Sequence, residues 1–308
     1  MIKFLIKRIF YAFLILIGVS MITYALLYLI PADPARQIAG RSATAETVAN
    51  IRSQLGLDLP FYQQYFQYLL NLLQGDFGRS WLQKTEVSTL IAARLPASLE
   101  LMAAGIVIEL IIGLTLGVIA ALKRNTIIDR AVMISSFVGV SAPQFVAAML
   151  FLYIFSIKLA WLPIGGYGEF KNLILPAFTL GVLGCGWYSR MFRSSMIEVL
   201  HQDFVRTARA KGLSNFQVIS RHIIPNSILP IISMIGIDIG IFVGGLVVVE
   251  SVFGWPGIGQ LAWQAIQRVD TPIIVAVTLV SAFAIVIGNL IADLIAPLLD
   301  PRIDIKNM

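Results

Sequence analysis

Hydrophobic positions fall in long unbroken blocks, not in alternation. They run over Ile9–Ile30 and then about Ser98–Leu122, Ala131–Ser156, Leu173–Tyr188, Ser227–Glu250 and Ile273–Leu298. A helix needs about 20 apolar residues to cross a bilayer core. The pattern predicts an all-α, polytopic membrane protein with six transmembrane helices. It divides the chain into 1–30 (tail and first span), 31–97 (a segment on one side with amphipathic helices) and 98–308 (a five-helix core containing the polar loop 190–226). The first block is longer than the about 7–15 apolar residues of a signal peptide, so it reads as an uncleaved span.

The segment 31–97 has its own periodicity. Ala43–Leu55 reads as a helix capped by Ser42 or Thr44. A second helix starts near Asp58, holds Pro60 in its first turn and stops at Gln74 before Gly75. Its Phe61, Tyr62, Tyr65, Phe66, Tyr68, Leu69, Leu72 and Leu73 make a broad aromatic and aliphatic surface. Such a surface either lies among lipid headgroups or meets an external partner.

The loop Asp203–Pro230 is the longest polar stretch between two spans in the C-terminal two thirds. It carries Arg206, Arg209, Lys211 and Arg221, with no acid after Asp203. Phe204, Val205, Ala208, Leu213, Phe216, Val218 and Ile219 fall at roughly helical spacing on either side of Gly212. The pattern predicts two short amphipathic helices joined by a bend, which glycine permits by accepting positive φ. A basic, half-apolar helix pair can lie on lipid or sit in a groove of another protein.

Composition agrees with the blocks: 58% of residues are hydrophobic, 13% are charged, and the mean hydropathy is +0.84. Soluble domains carry about 25% charged residues. The net charge of +6 reports orientation, not nucleic-acid binding. Lys3, Lys7, Arg8, Lys123, Arg124, Arg130, the 190–226 loop, Arg302 and Lys306 share one side, opposite the nearly uncharged Trp161–Tyr167 turn. The positive-inside rule then makes both termini cytoplasmic and places 31–96 outside. Cys185 is the single cysteine, and His201 and His222 have no acidic cluster beside them, so no metal site is expected. No P-loop, HExxH, CxxC or GxSxG occurs, so ATP binding through a P-loop is not expected of this chain.

Four acids lie within blocks: Glu109, Asp238, Glu250 and Asp293. Intramembrane charges cost about 2.5–3.5 kcal/mol at a helix centre, so they face a cavity or a partner. Asp238 is the most central and the first candidate for a polar pathway, with Glu250, Asn289 and Asp293 as further candidates. For Glu250 and Asp293, near block ends, interfacial solvation is the simpler expectation. Gly236, Gly240 and Gly244 form a stripe of small residues, as do Gly113 and Gly117. Such stripes allow close helix packing, within one subunit or across a seam. Trp255, Pro256, Gly257 and Gly259 define a tight turn on the outer side, whose Trp255 either anchors at the interface or plugs a cavity mouth.

These residues also carry a resemblance. The chain resembles the inner-membrane permeases of the dipeptide/oligopeptide/nickel class of bacterial ABC importers, along nearly its whole length. The likeness rests on Pro31-Ala32-Asp33-Pro34, Leu55-Gly56-Leu57-Asp58, Gly75-Asp76-Phe77-Gly78 and Arg94-Leu95-Pro96-Ala97-Ser98-Leu99-Glu100. It continues through Trp161-Leu162-Pro163, Gly244-Gly245, Trp255-Pro256-Gly257-Ile258-Gly259 and Leu299-Asp300-Pro301-Arg302. Asp203, Phe204, Val205, Arg206, Thr207, Ala208, Arg209, Ala210, Lys211, Gly212 and Leu213, with Pro225, are similar to the peptide-class form of the family's coupling loop. Against the general E-A-A-x3-G-x9-I-x-L-P pattern, Arg206 stands where the glutamate would be.

The resemblance implies a type I ABC importer permease fold in the bacterial inner membrane. It implies a second paralogous permease, one or two cytoplasmic ATPase subunits carrying ATP and Mg, and an extracytoplasmic substrate-binding protein. This chain itself would bind no cofactor, would not be an enzyme, and would touch membrane lipid but no nucleic acid. Peptides are the expected substrates, with nickel chelates or glutathione as alternatives within the class. A stand-alone channel or secondary transporter would work without an ATPase. A membrane enzyme would need convergent catalytic residues, for which Asp238 and Asp293 are the only pair to test.

Overall fold

The fold is that of a computed structural model, which describes residues 2–29, 34–40, 43–54 and 56–299. Pro31-Ala32-Asp33, Ser42, Leu55, Asp300-Pro301-Arg302 and Lys306 lie outside the described residues, as does the side chain of Asp293. The described residues are almost entirely helical, with one lone antiparallel bridge between Arg79 and Glu86.

The chain begins with α1 (Ile2–Leu29), followed by α2 (Pro34–Ala39), α3 (Ala45–Gln54) and α4 (Phe61–Leu73). Thr44 caps α3, accepting from the Thr47 amide at 3.2 Å. Past α4, Gly75 adopts φ +79°, as its stop role requires. The aromatic surface of α4 is divided between two faces. Tyr65 and Tyr68 pack on Tyr24 of α1, and Tyr65 meets the Ser20 hydroxyl at 2.9 Å. Tyr62 and Phe66 stay exposed.

Next comes α5 (Val87–Leu122), which starts at Val87, not Ser98, and passes through Pro96. The expected boundary at 97/98 is therefore not a helix boundary. Its first turns are held by Val87 and Ile91, buried in a cluster with Leu261, Ile273 and Ala276. Then follow α6 (Ile127–Ser141) and α7 (Gln144–Phe151), the latter prolonged as a π-helix to Lys158. This pair is one apolar block bent by 101° at Ala142-Pro143. After it runs α8 (Phe170–Leu200).

The polar loop forms α9 (Asp203–Ala210), α10 (Asn215–Val218), a π turn over Ile219–Ile223 and α11 (Ile224–Ser227). The chain ends with α12 (Leu229–Gly245), α13 (Val247–Val252), α14 (Ile258–Arg268) and α15 (Thr271–Leu299). Four helices are long and apolar enough to cross a membrane, and the two bent pairs raise that to six if each is one span.

Glycines set the helix packing. Along α5 and α8, Gly105 faces Leu180, Gly113 faces the Cys185 carbonyl and Tyr188, and Gly117 faces the Ser189 carbonyl and Phe192. The numbers rise together, so the two helices run parallel. A Cβ on Gly113 would sit 2.6 Å from the Tyr188 Cβ and 2.9 Å from the Cys185 carbonyl oxygen. Gly113→Val is therefore expected to destabilise the protein by about 2–3 kcal/mol, read as a lower unfolding temperature in detergent. An unchanged temperature would contradict this packing. On α12, Gly240 lies against Ile285, and the Gly236 carbonyl faces Gly288 of α15. That part of the stripe serves packing inside the chain; Gly244 lies in the last turn of α12.

Candidate functional site

The basic loop hangs on the end of α8. Val205 and Ala208 of α9 and Val218 of α10 are buried with Phe192, Met196 and Val199 of α8 and Ile231 of α12. Between the helices Gly212 bends the chain at φ +78°. Ser214 then starts α10 with a capping box, accepting from the Gln217 amide while the Gln217 side chain accepts from the Ser214 amide. That reciprocal cap satisfies amides that a four-residue helix would otherwise leave open.

The outward side is polar and basic. Asp203, Arg206, Thr207, Arg209, Ala210, Lys211, Gly212 and Pro225 are exposed, and so is Arg221. Phe216 is 79% exposed. Phe204 and Leu213 are half-buried. Val205, one of the helically spaced apolar residues of the loop, faces the chain's own core. The loop's mounting is stiffened by the ion pair of Asp129 on α6 with Arg193 on α8, whose Nε and Nη2 donate at 2.6 and 2.7 Å. The Asn125 amide also donates to Asp129, at 2.9 Å.

Among the described candidate pathway residues, Asp238, Glu250 and Asn289 do not converge. Asp238 on α12 is half-buried and accepts a hydrogen bond from the Tyr188 hydroxyl of α8. Its carboxyl also meets that of Glu109 on α5. Glu109 is buried against Gly184, where a Cβ would overlap its carboxyl, and its Oε2 has no partner among the described residues. Asn289 is exposed on α15. Tyr188 was not legible as part of this cluster, being only the polar end of an apolar block.

Glu250, at the end of its apolar block, is not solvated there: it is fully buried. Its Oε1 accepts from the Ser98 hydroxyl at 2.6 Å and its Oε2 from the Gln260 amide at 2.7 Å. The Ile258 amide donates to the Ser98 oxygen at 2.9 Å. The first amides of α14 have no intrahelical acceptor, and the partial positive charge of a helix start favours a carboxylate. Glu250 and Ser98 supply those acceptors together, so Glu250 is an internal cap and not a pathway wall.

The Trp255 turn closes over this cap. Trp255 is buried and donates through Nε1 to the Ala97 carbonyl at 2.8 Å, with Tyr167 edge-on at 4.8 Å. Buried in this way, it does not serve as an interface anchor. A Cβ on Gly257 would overlap the Glu250 carboxyl, and one on Gly259 would lie 2.8 Å from the Val247 nitrogen. Pro256 is half-buried between them. Asp270, which sequence reasoning missed, is buried and receives the Ser80 hydroxyl at 2.5 Å and the Trp81 amide at 3.2 Å. It ties the 76–86 segment to the corner between α14 and α15.

Comparison with known proteins covers nearly the whole sequence. Residues 113–305 match the family described as binding-protein-dependent transport system inner membrane component, and residues 1–102 match its N-terminal counterpart. The glutathione transport system permease protein GsiC of Escherichia coli (strain K12) is 38% identical over 306 residues, covering 99% of this chain and 100% of that protein. The protein of the same name from Salmonella choleraesuis (strain SC-B67) is 37% identical over the same coverage. A solved chain of the MetNI methionine ABC transporter, in an inward-facing conformation, shares the fold with a TM-score of 0.53 at 19% identity. That likeness covers 66% of this chain and 94% of the solved one. With two family matches and full-length relatives, the chain belongs to the binding-protein-dependent transport system inner membrane components and is a permease subunit of an ABC importer.

Proposed function

We propose that this permease pairs with a second, paralogous permease to form the translocation pathway for short peptides, glutathione included. Substrate would arrive from an extracytoplasmic binding protein. ATP and Mg would be bound by separate cytoplasmic ATPase subunits, and both termini of this chain would be cytoplasmic. Glutathione is named in this proposal because full-length relatives carry that transport function in their names. Nickel chelates have no comparable support.

The observation that carries the reading is the two-sided loop. One side of α9–α10 is fixed to α8 and α12 by buried Val205, Ala208 and Val218. The other side presents Phe216 and four basic side chains. An element held on one side and open on the other can transmit a push. A partner binding Phe216 would displace α9–α10, and α12 follows directly through α11. Closure of the ATPase dimer would thereby rock α12 against α5 and α8, a rigid-body transition of the kind that interconverts two access states. Binding must then be reciprocal, so loaded binding protein outside changes nucleotide affinity inside.

The test is a photo-crosslinking amino acid at Phe216 in native membranes. A crosslink to an ATPase subunit is expected. Phe216→Ser is expected to weaken ATPase retention about tenfold, as loss of an apolar anchor at a docking centre does. Crosslinks to lipid alone, with retention unchanged, would contradict this use of the loop.

A further inference from the structure

Two arginines stand at one edge of the apolar surface. Arg190 on α8 is half-buried, with its guanidinium 4.6 Å from the ring centres of both Phe137 and Trp187. Its Nε donates to the Gly186 carbonyl at 3.2 Å, which orients the group and leaves its terminal N–H donors for an anion. Arg130 on α6 is exposed. Among the described residues neither has an acidic partner, and the nearby Asp129 is already held by Arg193.

Arg130 opens the α6 face, and the Arg190 guanidinium meets Phe137 seven residues further along it. α6 and α8 run antiparallel, with Asp129 on Arg193 and the Ser136 hydroxyl 2.6 Å from that of Ser189. The apolar block of α6 begins immediately after Arg130, and that of α8 ends just before Arg190. From the boundary toward the membrane centre runs an exposed stripe of Ile134, Phe137 and Val138 on α6, with Trp187 beside it on α8. Ile134, Phe137 and Val138 stand four, seven and eight residues beyond Arg130, one face of a helix.

We propose that this face is a binding site for an anionic phospholipid of the inner leaflet. The phosphate would lie between Arg190 and Arg130, and an acyl chain would lie along the stripe. The chemistry is specific at each end. Guanidinium matches phosphate geometry, and stacking on Phe137 and Trp187 holds Arg190 in place. Trp favours the headgroup level, and the cytoplasmic leaflet is the anionic one. A soluble anion would leave the exposed apolar stripe unexplained. The inference rests on the permease reading, with Arg130 on the cytoplasmic side.

The experiment uses the assembled transporter in nanodiscs of phosphatidylcholine with or without phosphatidylglycerol, with retained lipids counted by native mass spectrometry. Wild type is expected to retain phosphatidylglycerol over phosphatidylcholine. Arg190→Gln and Arg130→Gln are each expected to lower that preference about fivefold, and Arg190→Lys to keep part of it. If Arg190→Gln does not assemble, Arg130→Gln and Arg190→Lys decide. Equal retention of both lipids by wild type, or an unchanged preference in the variants, would overturn the site. So would a crosslink to the second permease from a photo-crosslinking amino acid placed at Phe137. The same spectra report ATPase subunits, whose absence would contradict the permease reading separately from the lipid result.

Discussion

Glu250→Ala is expected to lower the unfolding temperature in detergent by on the order of 5–10 °C, corresponding to a loss of about 3 kcal/mol. The carboxylate is fully buried and receives the Ser98 hydroxyl and the Gln260 amide. Removing it leaves both donors dry and the start of α14 without its acceptor. Hydrogen bonds to a charged group are worth about 1.5–3 kcal/mol each, and buried orphans add their desolvation. Glu250→Gln keeps the shape but turns an NH2 group toward a donor, so it should cost less than Glu250→Ala and more than nothing. Ser98→Ala should be destabilising alone and add little on top of Glu250→Ala, because both act through one network. Were Glu250 solvated at the interface, all three variants would unfold as wild type does.

The second large effect concerns coupling. Gly212→Val is expected to reduce uptake at least about tenfold while the protein still inserts into the membrane. Gly212 holds φ +78°, and an ideal Cβ there meets nothing within 4 Å. The obstacle is therefore backbone conformation, not crowding. A left-handed residue with a Cβ costs about 1–2 kcal/mol, and a β-branched one costs more. Relief of that strain reorients α10 relative to α9, and with it the exposed Phe216. Gly212→Asn, which tolerates the left-handed region, should transport nearly normally. If hydrolysis resides on separate ATPase subunits, as proposed, it should continue in the valine variant. Wild-type uptake by Gly212→Val would contradict the role given to the bend.

How much was legible depends on whether a feature is local. The apolar blocks are local, so the helical membrane architecture followed from their length. The bend at Gly212 between two short helices was also legible, because the glycine and the flanking apolar spacing lie within one stretch. The start of α5 was not. Residues 87–97 carry Ser88, Thr89 and Arg94, and their helix is held by Val87 and Ile91 packing on α14 and α15, nearly 200 residues away in sequence. The bend before α7 had a signal in Ala142-Pro143, yet the apolar run continues across it and hid the break.

The site divides in the same way. Glu250 at the end of an apolar block fits solvation as well as burial, and only the fold brings Ser98 and the amides of α14 to it. Trp255 in a Pro- and Gly-rich turn looked like a surface feature. Its burial depends on the Ala97 carbonyl and on Tyr167, both distant in sequence. Val205 was legible as apolar, but its packing on α8 and α12 was not, because periodicity gives a face and not its occupant. Arg190 drew no attention in the sequence, since its stacking on Phe137 requires α6 and α8 to run antiparallel.

The most direct test of the account is purification of this chain from its native membrane in mild detergent, with every co-purifying protein identified. The account predicts an ATPase subunit and a second permease in stable association, with a binding protein joining when substrate is supplied. Recovery of this chain alone, under conditions that keep other membrane complexes intact, would contradict it.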